Sequence, residues 1–350
     1  MTPRPKDLTA GPVRWSAVTL LWLSHPRCVD HEAGERHPER PARLGAVMAG
    51  LEQSGAHDEV VVRKPRPVER HELLRVHSPE LVDTVERLAE AGGGRLDADT
   101  AMNAASLEAA QLAAGAGLDA VDALLAEEAT TAFCAVRPPG HHATADQSMG
   151  FCLFNNIAVT AAALRARGER VAIVDFDVHH GNGTQDIFAR DPEVLFVSLH
   201  QHPLYPGSGA VTDMGEGGGL GATVNLPVPP GSTGELYRAA FDTIVGPAVD
   251  RFAPTWLLIS AGFDGHRRDP LAEVDLTAGD YREFVRFLRQ LVGPARAVVF
   301  LEGGYDLEAL TESTAAVVAG LVDLDHEAEP PSAGGSSSDV VAHAAHLHEL

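Results

Sequence analysis

Two stretches of the chain concentrate residue types that hold a divalent metal. The run Val171-Ala172-Ile173-Val174 is apolar and β-branched, and it ends in Asp175, Asp177 and His179. Asp177 and His179 stand two apart, so on extended backbone both side chains leave on one face. A second apolar run, 255–259, leads into Ser260-Ala261-Gly262-Phe263-Asp264. One imidazole and two carboxylates make a three-ligand set with a position left open, the arrangement of a catalytic site and not of a closed structural one. Oxygen-rich ligation makes Fe(II) and Co(II) competitive with zinc on ligand chemistry alone. Taken singly, an Asp-X-His is as readily a polar strand end, and its weight comes from its companions.

Those companions sit at the ends of two further apolar runs. The run 132–136 leads through Arg137-Pro138-Pro139-Gly140 into His141 and His142. Adjacent histidines are usually decoration, but here each ring has a candidate orienter, Asp175 for one and Asn182 for the other. An imidazole held by a carboxylate or amide is fixed in tautomer and direction, which general acid-base catalysis requires. The run 297–301 ends in Glu302-Gly303-Gly304-Tyr305, where two glycines free the backbone to present a phenol that can hydrogen-bond a developing oxyanion. Without its neighbours Tyr305 would read as an ordinary core aromatic.

Groups at strand ends need a scaffold that gathers those ends. Strands are expected at 17–23, 60–62, 132–136, 171–176, 194–199, 223–226, 255–259 and 297–301. Helices are expected at 42–53, 69–76, 79–91, 104–128, 156–167, 183–188, 234–252, 276–292 and 307–321. From residue 131 onward strands alternate with helices, which predicts an α/β fold: a three-layer α/β/α domain around one mostly parallel sheet. In such sheets ligands bind beyond the carboxyl ends of the strands. Residues 1–15 read as a flexible arm, 16–324 as a single catalytic domain, and 325–350 as a flexible tail ending in a frayed helix. His343, His346 and His348 in that tail have a metal-compatible spacing but read as residues of a disordered segment.

Bulk properties narrow the function. The 350 residues are 45% hydrophobic with a mean hydropathy of -0.04, as in a globular domain with a sizeable core. Lys+Arg 27 against Asp+Glu 49 gives a net charge of -22, and Lys6 and Lys64 are the only lysines. Such a field repels phosphate backbones and anionic membranes, and it favours cationic substrates such as Lys-rich peptides or polyamines. Cys28, Cys134 and Cys152 are odd in number and lack metal spacing, which fits a reducing, cytoplasmic compartment. The apolar run 17–23 reads as a strand and not as a signal peptide, because it is short and His25-Pro26 follows it. No stretch approaches the ~20 apolar residues of a membrane-spanning helix.

Read together, RPPGHHA, GFCLFNN, DFDVHHGNGTQ, SLHQHPLYPGSG, SAGFDGHRRDPL and EGGYD, in this order, resemble the histone deacetylase family within the arginase-deacetylase fold. The resemblance spans about residues 20–321. HPERPARL from His37, together with Asn182, is similar to the class II and bacterial branch.

The resemblance implies zinc on Asp177, His179 and Asp264, His142 as general base with Asn182 as its neutral partner, and His141 with Asp175 as the electrostatic member of the dyad. It implies Tyr305 as oxyanion donor. Gly150, Phe151 and Tyr205 match the walls of an acyl-lysine tunnel. Asp175, Asp177, His179, Ser198 and Leu199 match an inner potassium site, and Phe188, Asp191 and Val194 a second one. Arg43 matches an arginine beside an acetate-release cavity.

The activity so implied is removal of acetyl or short acyl groups from the lysine ε-amine of proteins or peptides. Water attacks the amide without a covalent acyl-enzyme, since no activated Ser or Cys accompanies the set. Leu271 stands where a polyamine-selective branch carries a glutamate, which argues against a dedicated acetylpolyamine deacetylase. The short loop 92–102 offers little in place of that branch's insertions. Two alternatives stay open: the same chemistry on acetylpolyamines or other small acylamides, and a non-catalytic acyl-lysine binding protein. Homo-oligomer formation is compatible with either, and direct nucleic-acid or membrane binding is not expected.

Overall fold

The computed structural model describes residues 19–334 and 338–350. In chain order the strands are β1 (Leu20–Leu23), β2 (Val60–Arg63), β3 (Gly93–Arg95), β4 (Ala101–Asn103), β5 (Thr131–Cys134), β6 (Val171–Asp175), β7 (Val194–Gln201), β8 (Thr223–Val228), β9 (Trp256–Ala261) and β10 (Ala297–Leu301). The helices are α1 (Ala42–Gln53), α2 (Arg70–Leu73), α3 (Pro79–Glu90), α4 (Ser106–Leu125), α5 (Asn156–Ala166), α6 (Asn182–Phe188), α7 (Gly234–Ala240), α8 (Gly246–Phe252), α9 (Ala278–Leu288), α10 (Leu307–Val322) and α11 (Ser338–Leu347).

Eight strands form one sheet in the order β2-β1-β5-β10-β9-β6-β7-β8, every neighbouring pair parallel. Every residue of β1, β5, β6, β7, β9 and β10 is buried, which is why these segments read as continuous apolar runs and not as alternating ones. Helix α10 lies between α1 and α9, while α4 packs on α5, and α5 on β6 and β9. The expected three-layer α/β/α domain is what the chain forms.

Several boundaries differ from the sequence expectation. The start of the first strand and the arm at 1–15 lie outside the described residues. Residues 69–76 hold only one helical turn, closed by a reciprocal capping box between Glu69 and Glu72. The span 234–252 is broken by a wider turn at Phe241–Val245. Helix α9 starts at Ala278 because the Thr277 hydroxyl caps the Asp280 N–H. The glycine-rich loop 92–102 forms the antiparallel hairpin β3–β4.

The largest difference is the segment expected as a flexible tail. Residues 324–334 lie along the domain, where Arg282 donates to the Leu324 and His326 carbonyls and Thr277 to that of Pro330. Ser332 donates through its N–H and its hydroxyl to Asp280. Helix α11 then packs against β8 and α7, burying Val341, Ala344 and Ala345. Its His343 and His346 are exposed while His348 is buried, so the three do not converge.

Candidate active site

Four adjacent strands, β5-β10-β9-β6, carry the chemistry at their carboxyl ends. Strand β6 delivers Asp175, Asp177 and His179; β9 delivers Asp264; β5 leads to His141 and His142; β10 leads to Glu302 and Tyr305. The β6–β9 register sets Asp175 opposite Ser260, which brings the Asp177 and Asp264 loops together.

Asp177, His179 and Asp264 converge, with one ligand atom of each within 4.8 Å of the others, and all three are buried. His179 Nδ1 lies 3.2 Å from Asp177 Oδ1 and 3.1 Å from Asp264 Oδ2. The remaining oxygens are oriented by backbone, Asp177 Oδ2 by the Gly303 N–H at 2.8 Å and Asp264 Oδ1 by the Val178 N–H at 3.1 Å. Burial opposes charging His179, yet hydrogen bonds to the two carboxylates raise its pKa. The floor of the site thus favours positive charge, and its donor set fits a divalent cation. A Cβ on Gly303 would lie 1.9 Å from Asp264 Oδ2, so only glycine admits this approach.

Each of the two adjacent histidines has a buried polar partner. His141 Nδ1 is 2.9 Å from Asp175 Oδ2, and His142 Nδ1 is 2.8 Å from Asn182 Oδ1. Burial acts to neutralise both rings. At His141 the charges of Asp175 and Asp177 outweigh it and raise the pKa. At His142 burial is reinforced by His141 and His179, which holds the ring neutral well below the ordinary imidazole range. With Nδ1–H donating to Asn182, the other nitrogen of His142 keeps its lone pair, the state of a general base.

Above this floor is a cavity of about 230 Å³ lined by His142, His179 and Tyr305 below, with Gly150, Phe151, Leu204, Tyr205, Leu271 and Asp99 around it. It is smaller than the roughly 300–1,000 Å³ that holds a drug-sized ligand, and suits one extended chain. Tyr205 stands edge-on to His142 at 5.1 Å, and Phe151 edge-on to Tyr305 at 5.8 Å. Asp99 and Leu204 carry no sequence signal; the β3–β4 hairpin places Asp99 at the cavity, and His37 bonds its carbonyl at 3.0 Å.

Arg43 is buried beneath the Tyr305 loop, donating to the carbonyls of Glu302 and Gly304, each at 2.6 Å, and lying 4.9 Å from the Tyr305 ring. It belongs to a buried ion cluster with Glu39, Arg137 and His31 that the sequence reading did not assemble. Arg40 is exposed. Ser198 pairs with Asp175 across β6–β7, with Leu199 next to it. Phe188, Asp191 and Val194 surround the turn after α6, where the Asp191 carboxylate pairs with Arg165.

A larger cavity of about 720 Å³ lies elsewhere, bordered by Arg267, Arg268, Glu312, His326 and Glu329. His266, Glu312 and Glu329 cluster beside it, but Arg268 takes Glu312 and Arg267 takes Glu329, so this group is already charge-balanced. The smaller cavity is the candidate site because, among the described residues, only there do a candidate metal-ligand set and the paired histidines meet.

A model of the histone deacetylase domain matches residues 37–321. A probable deacetylase of Archaeoglobus fulgidus is 40% identical over 308 residues, covering 86% of each chain. The histone deacetylase-like amidohydrolase of Pseudomonas aeruginosa is 40% identical over 302 residues, covering 85% of this chain and 78% of the relative. The crystal structure of the HDA15 HD domain superimposes with a TM-score of 0.87 at 38% identity, covering 94% of this chain and 96% of that one. The chain belongs to the histone deacetylase family, as a metal-dependent deacetylase.

Proposed function

We propose that the chain hydrolyses the amide of acetylated or short-acylated lysine side chains in proteins or peptides. The observation that carries this reading is the convergence, on the floor of one narrow cavity, of a cation-favouring ligand set, a neutral histidine and a phenol. Zinc is assigned to Asp177, His179 and Asp264, where it would supply Lewis acidity to the substrate carbonyl and to water.

The protein's own groups do the rest. His142 takes a proton from the attacking water as the oxygen–carbon bond forms, and returns it to the amine as the carbon–nitrogen bond breaks. Tyr305 donates its hydroxyl proton in a hydrogen bond to the oxyanion. His141, charged beside Asp175, adds a fixed positive field. Phe151 and Tyr205 flank the lysine methylenes, and the Asp99 carboxylate accepts N–H groups of the substrate beyond them. Potassium is assigned to Asp175, Asp177, His179, Ser198 and Leu199, and a second ion to Phe188, Asp191 and Val194. Three buried free cysteines favour a reducing compartment, which we take as the cytoplasm. Among the described residues no helix is long and apolar enough to cross a membrane.

The test is hydrolysis by metal-stripped protein reconstituted with Zn(II), Fe(II), Co(II) or Mn(II), on acetyl-lysine peptide and acetylpolyamines, with Tyr305→Phe as control. Peptide turnover dependent on metal and on Tyr305 is expected; silence on both substrates overturns the reading. A second reading, acetylpolyamine hydrolysis, is favoured by the Asp99 carboxylate at the cavity and the net charge of -22. Polyamine-only turnover by the wild-type protein establishes it; Leu271→Glu should raise polyamine turnover if Leu271 is a specificity gate, and no gain removes Leu271 as an argument against this reading.

A further inference from the structure

The geometry points to Asp269 as a positioning residue for the oxyanion donor, one carboxylate joining the cavity wall at Leu271 to the backbone of Tyr305. Its kinetic consequence rests on the acyl-lysine hydrolase reading; its structural consequence does not.

Asp269 lies in the loop after β9 and is buried. Its Oδ2 accepts the Tyr305 N–H at 2.6 Å and the Asp306 N–H at 3.3 Å, and its Oδ1 accepts the Leu271 N–H at 3.0 Å. Its own N–H donates to the His266 carbonyl at 2.7 Å, which ties the carboxylate to the loop that also carries Asp264. Among the described residues no ion pair involves Asp269; burial and the nearby Asp264 charge push its pKa up to about 7, and the three backbone N–H groups oppose that rise. In its ionised form the carboxylate holds these donors more tightly than a neutral acceptor would.

The segment so held is otherwise anchored through backbone, the Gly303 N–H to Asp177 Oδ2 and the Gly303 carbonyl to the Phe263 N–H. Gly303 and Gly304 precede Tyr305 and bring no side chains, and Gly304 has φ +118°, a conformation that side chains disfavour. Arg43 holds this segment through the carbonyls of Glu302 and Gly304, and Asp269 holds it through the N–H groups of Tyr305 and Asp306. The backbone that carries the phenol is thus fixed through both its carbonyls and its N–H groups. Because Leu271 lines the cavity two residues from Asp269, the chain that fills the cavity presses on the same carboxylate that places the phenol.

Asp269→Asn keeps the size of the side chain but leaves one acceptor oxygen and turns an NH2 toward N–H donors. On acetyl-lysine peptide, kcat is expected to fall on the order of 10- to 100-fold, with a much smaller change in KM. In a Tyr305→Phe background the same substitution should cost less than about 2-fold, because the group it positions is gone. Equal losses in both backgrounds would overturn the assignment.

A readout without turnover comes from the four tyrosines, Tyr205, Tyr237, Tyr281 and Tyr305. In protein labelled with 3-fluorotyrosine, Tyr305→Phe assigns one fluorine line. Asp269→Asn should shift or broaden that line and leave the line of the buried Tyr237 in place; an unmoved Tyr305 line overturns the proposal. Asp269→Glu, which keeps the charge and both acceptors, should recover the line position and part of kcat. A Glu variant no better than Asn also overturns it. If the wild-type protein hydrolyses no acylamide, the hydrolase reading falls, and the fluorine lines still decide the role of Asp269.

Discussion

Asn182→Asp changes the charge of the partner of His142 and little else. Asn182 Oδ1 lies 2.8 Å from His142 Nδ1, and an aspartate there preserves the hydrogen bond while adding a negative charge. In the wild-type protein burial, followed by the positive fields of His141 and His179, holds His142 well below its ordinary pKa. A carboxylate charge about 4 Å from the ring interacts with it by about 4 kcal/mol at an effective dielectric constant of about 20, equivalent to about three pKa units. Desolvation of the new carboxylate reduces this, leaving an upward shift of roughly 1–3 units. Below its pKa His142 is protonated and cannot accept the proton from water, so raising the pKa moves the acidic limb of kcat/KM to higher pH. The assay is a pH–rate profile on acetyl-lysine peptide for zinc-loaded wild type, Asn182→Asp and Asn182→Ala. The alanine variant removes the orienting bond, which itself raises the His142 pKa slightly, and should lower kcat with the limb at its wild-type position or a little below it. An Asn182→Asp limb at the wild-type pH, or displaced to lower pH, would refute the reasoning.

Three further outcomes follow from the buried polar groups. His77 accepts the Asn155 N–H at 2.9 Å and bonds the Thr144 carbonyl at 2.9 Å, and burial pushes its pKa down to about 4. The unfolded chain then takes the proton first, so its contribution is complete above pH 6.5 and is lost as pH falls toward 4, by up to about 3 kcal/mol; His77→Gln should flatten denaturant-measured stability across that window, and an unchanged slope contradicts this. Glu39 pairs with Arg43, Arg137 and His31 in the fully buried cluster, and Glu39→Gln strands two guanidinium charges, which should cost about 3–5 kcal/mol in urea unfolding; a loss under about 1 kcal/mol would show the arginines are satisfied without it. Gly303→Ala would place a Cβ 1.9 Å from Asp264 Oδ2 and 2.7 Å from Asp177 Oδ2, forcing the ligand carboxylates apart. Its zinc affinity, by chelator competition, should fall at least about tenfold, and wild-type affinity would show that the loop can give way.

The clamp on Tyr305 and the pairing of His142 with Asn182 share a feature that matters for catalysis. Each reactive side chain is held by a buried polar partner on a different strand-end loop, and those loops close the carboxyl edge of one rigid parallel sheet. Placement to within a fraction of an ångström is obtained from hydrogen bonds whose alternatives are unsatisfied buried groups, which are costly.

Local pattern was enough to single out the candidate ligands and the paired histidines that the structure brings together. Buried parallel strands are continuous apolar runs, so their ends are visible in the chain, and Asp177, His179, Asp264, His141, His142 and Tyr305 all stand just past such ends. Composition misjudged residues 325–334, which are rich in Pro, Ala and Glu, because what holds them is side chains of the domain, Arg282, Thr277 and Asp280, bonding the segment's backbone and Ser332. Asp99, Leu204, Asp269 and the Glu39 cluster left no trace in periodicity either, being loop or isolated positions whose meaning depends on what faces them.

The residue types and their strand-end spacing, and hence the chemistry available, are properties of the sequence itself. Tertiary structure alone decides that β5, β10, β9 and β6 are neighbours although other strands and helices intervene along the chain, that the β3–β4 hairpin brings Asp99 to the cavity, and that Asp269 meets Tyr305. The reason is physical: burial periodicity is a local consequence of backbone geometry, whereas strand order and loop-to-loop hydrogen bonds are settled by packing between segments from 36 to 166 residues apart, which no local window contains.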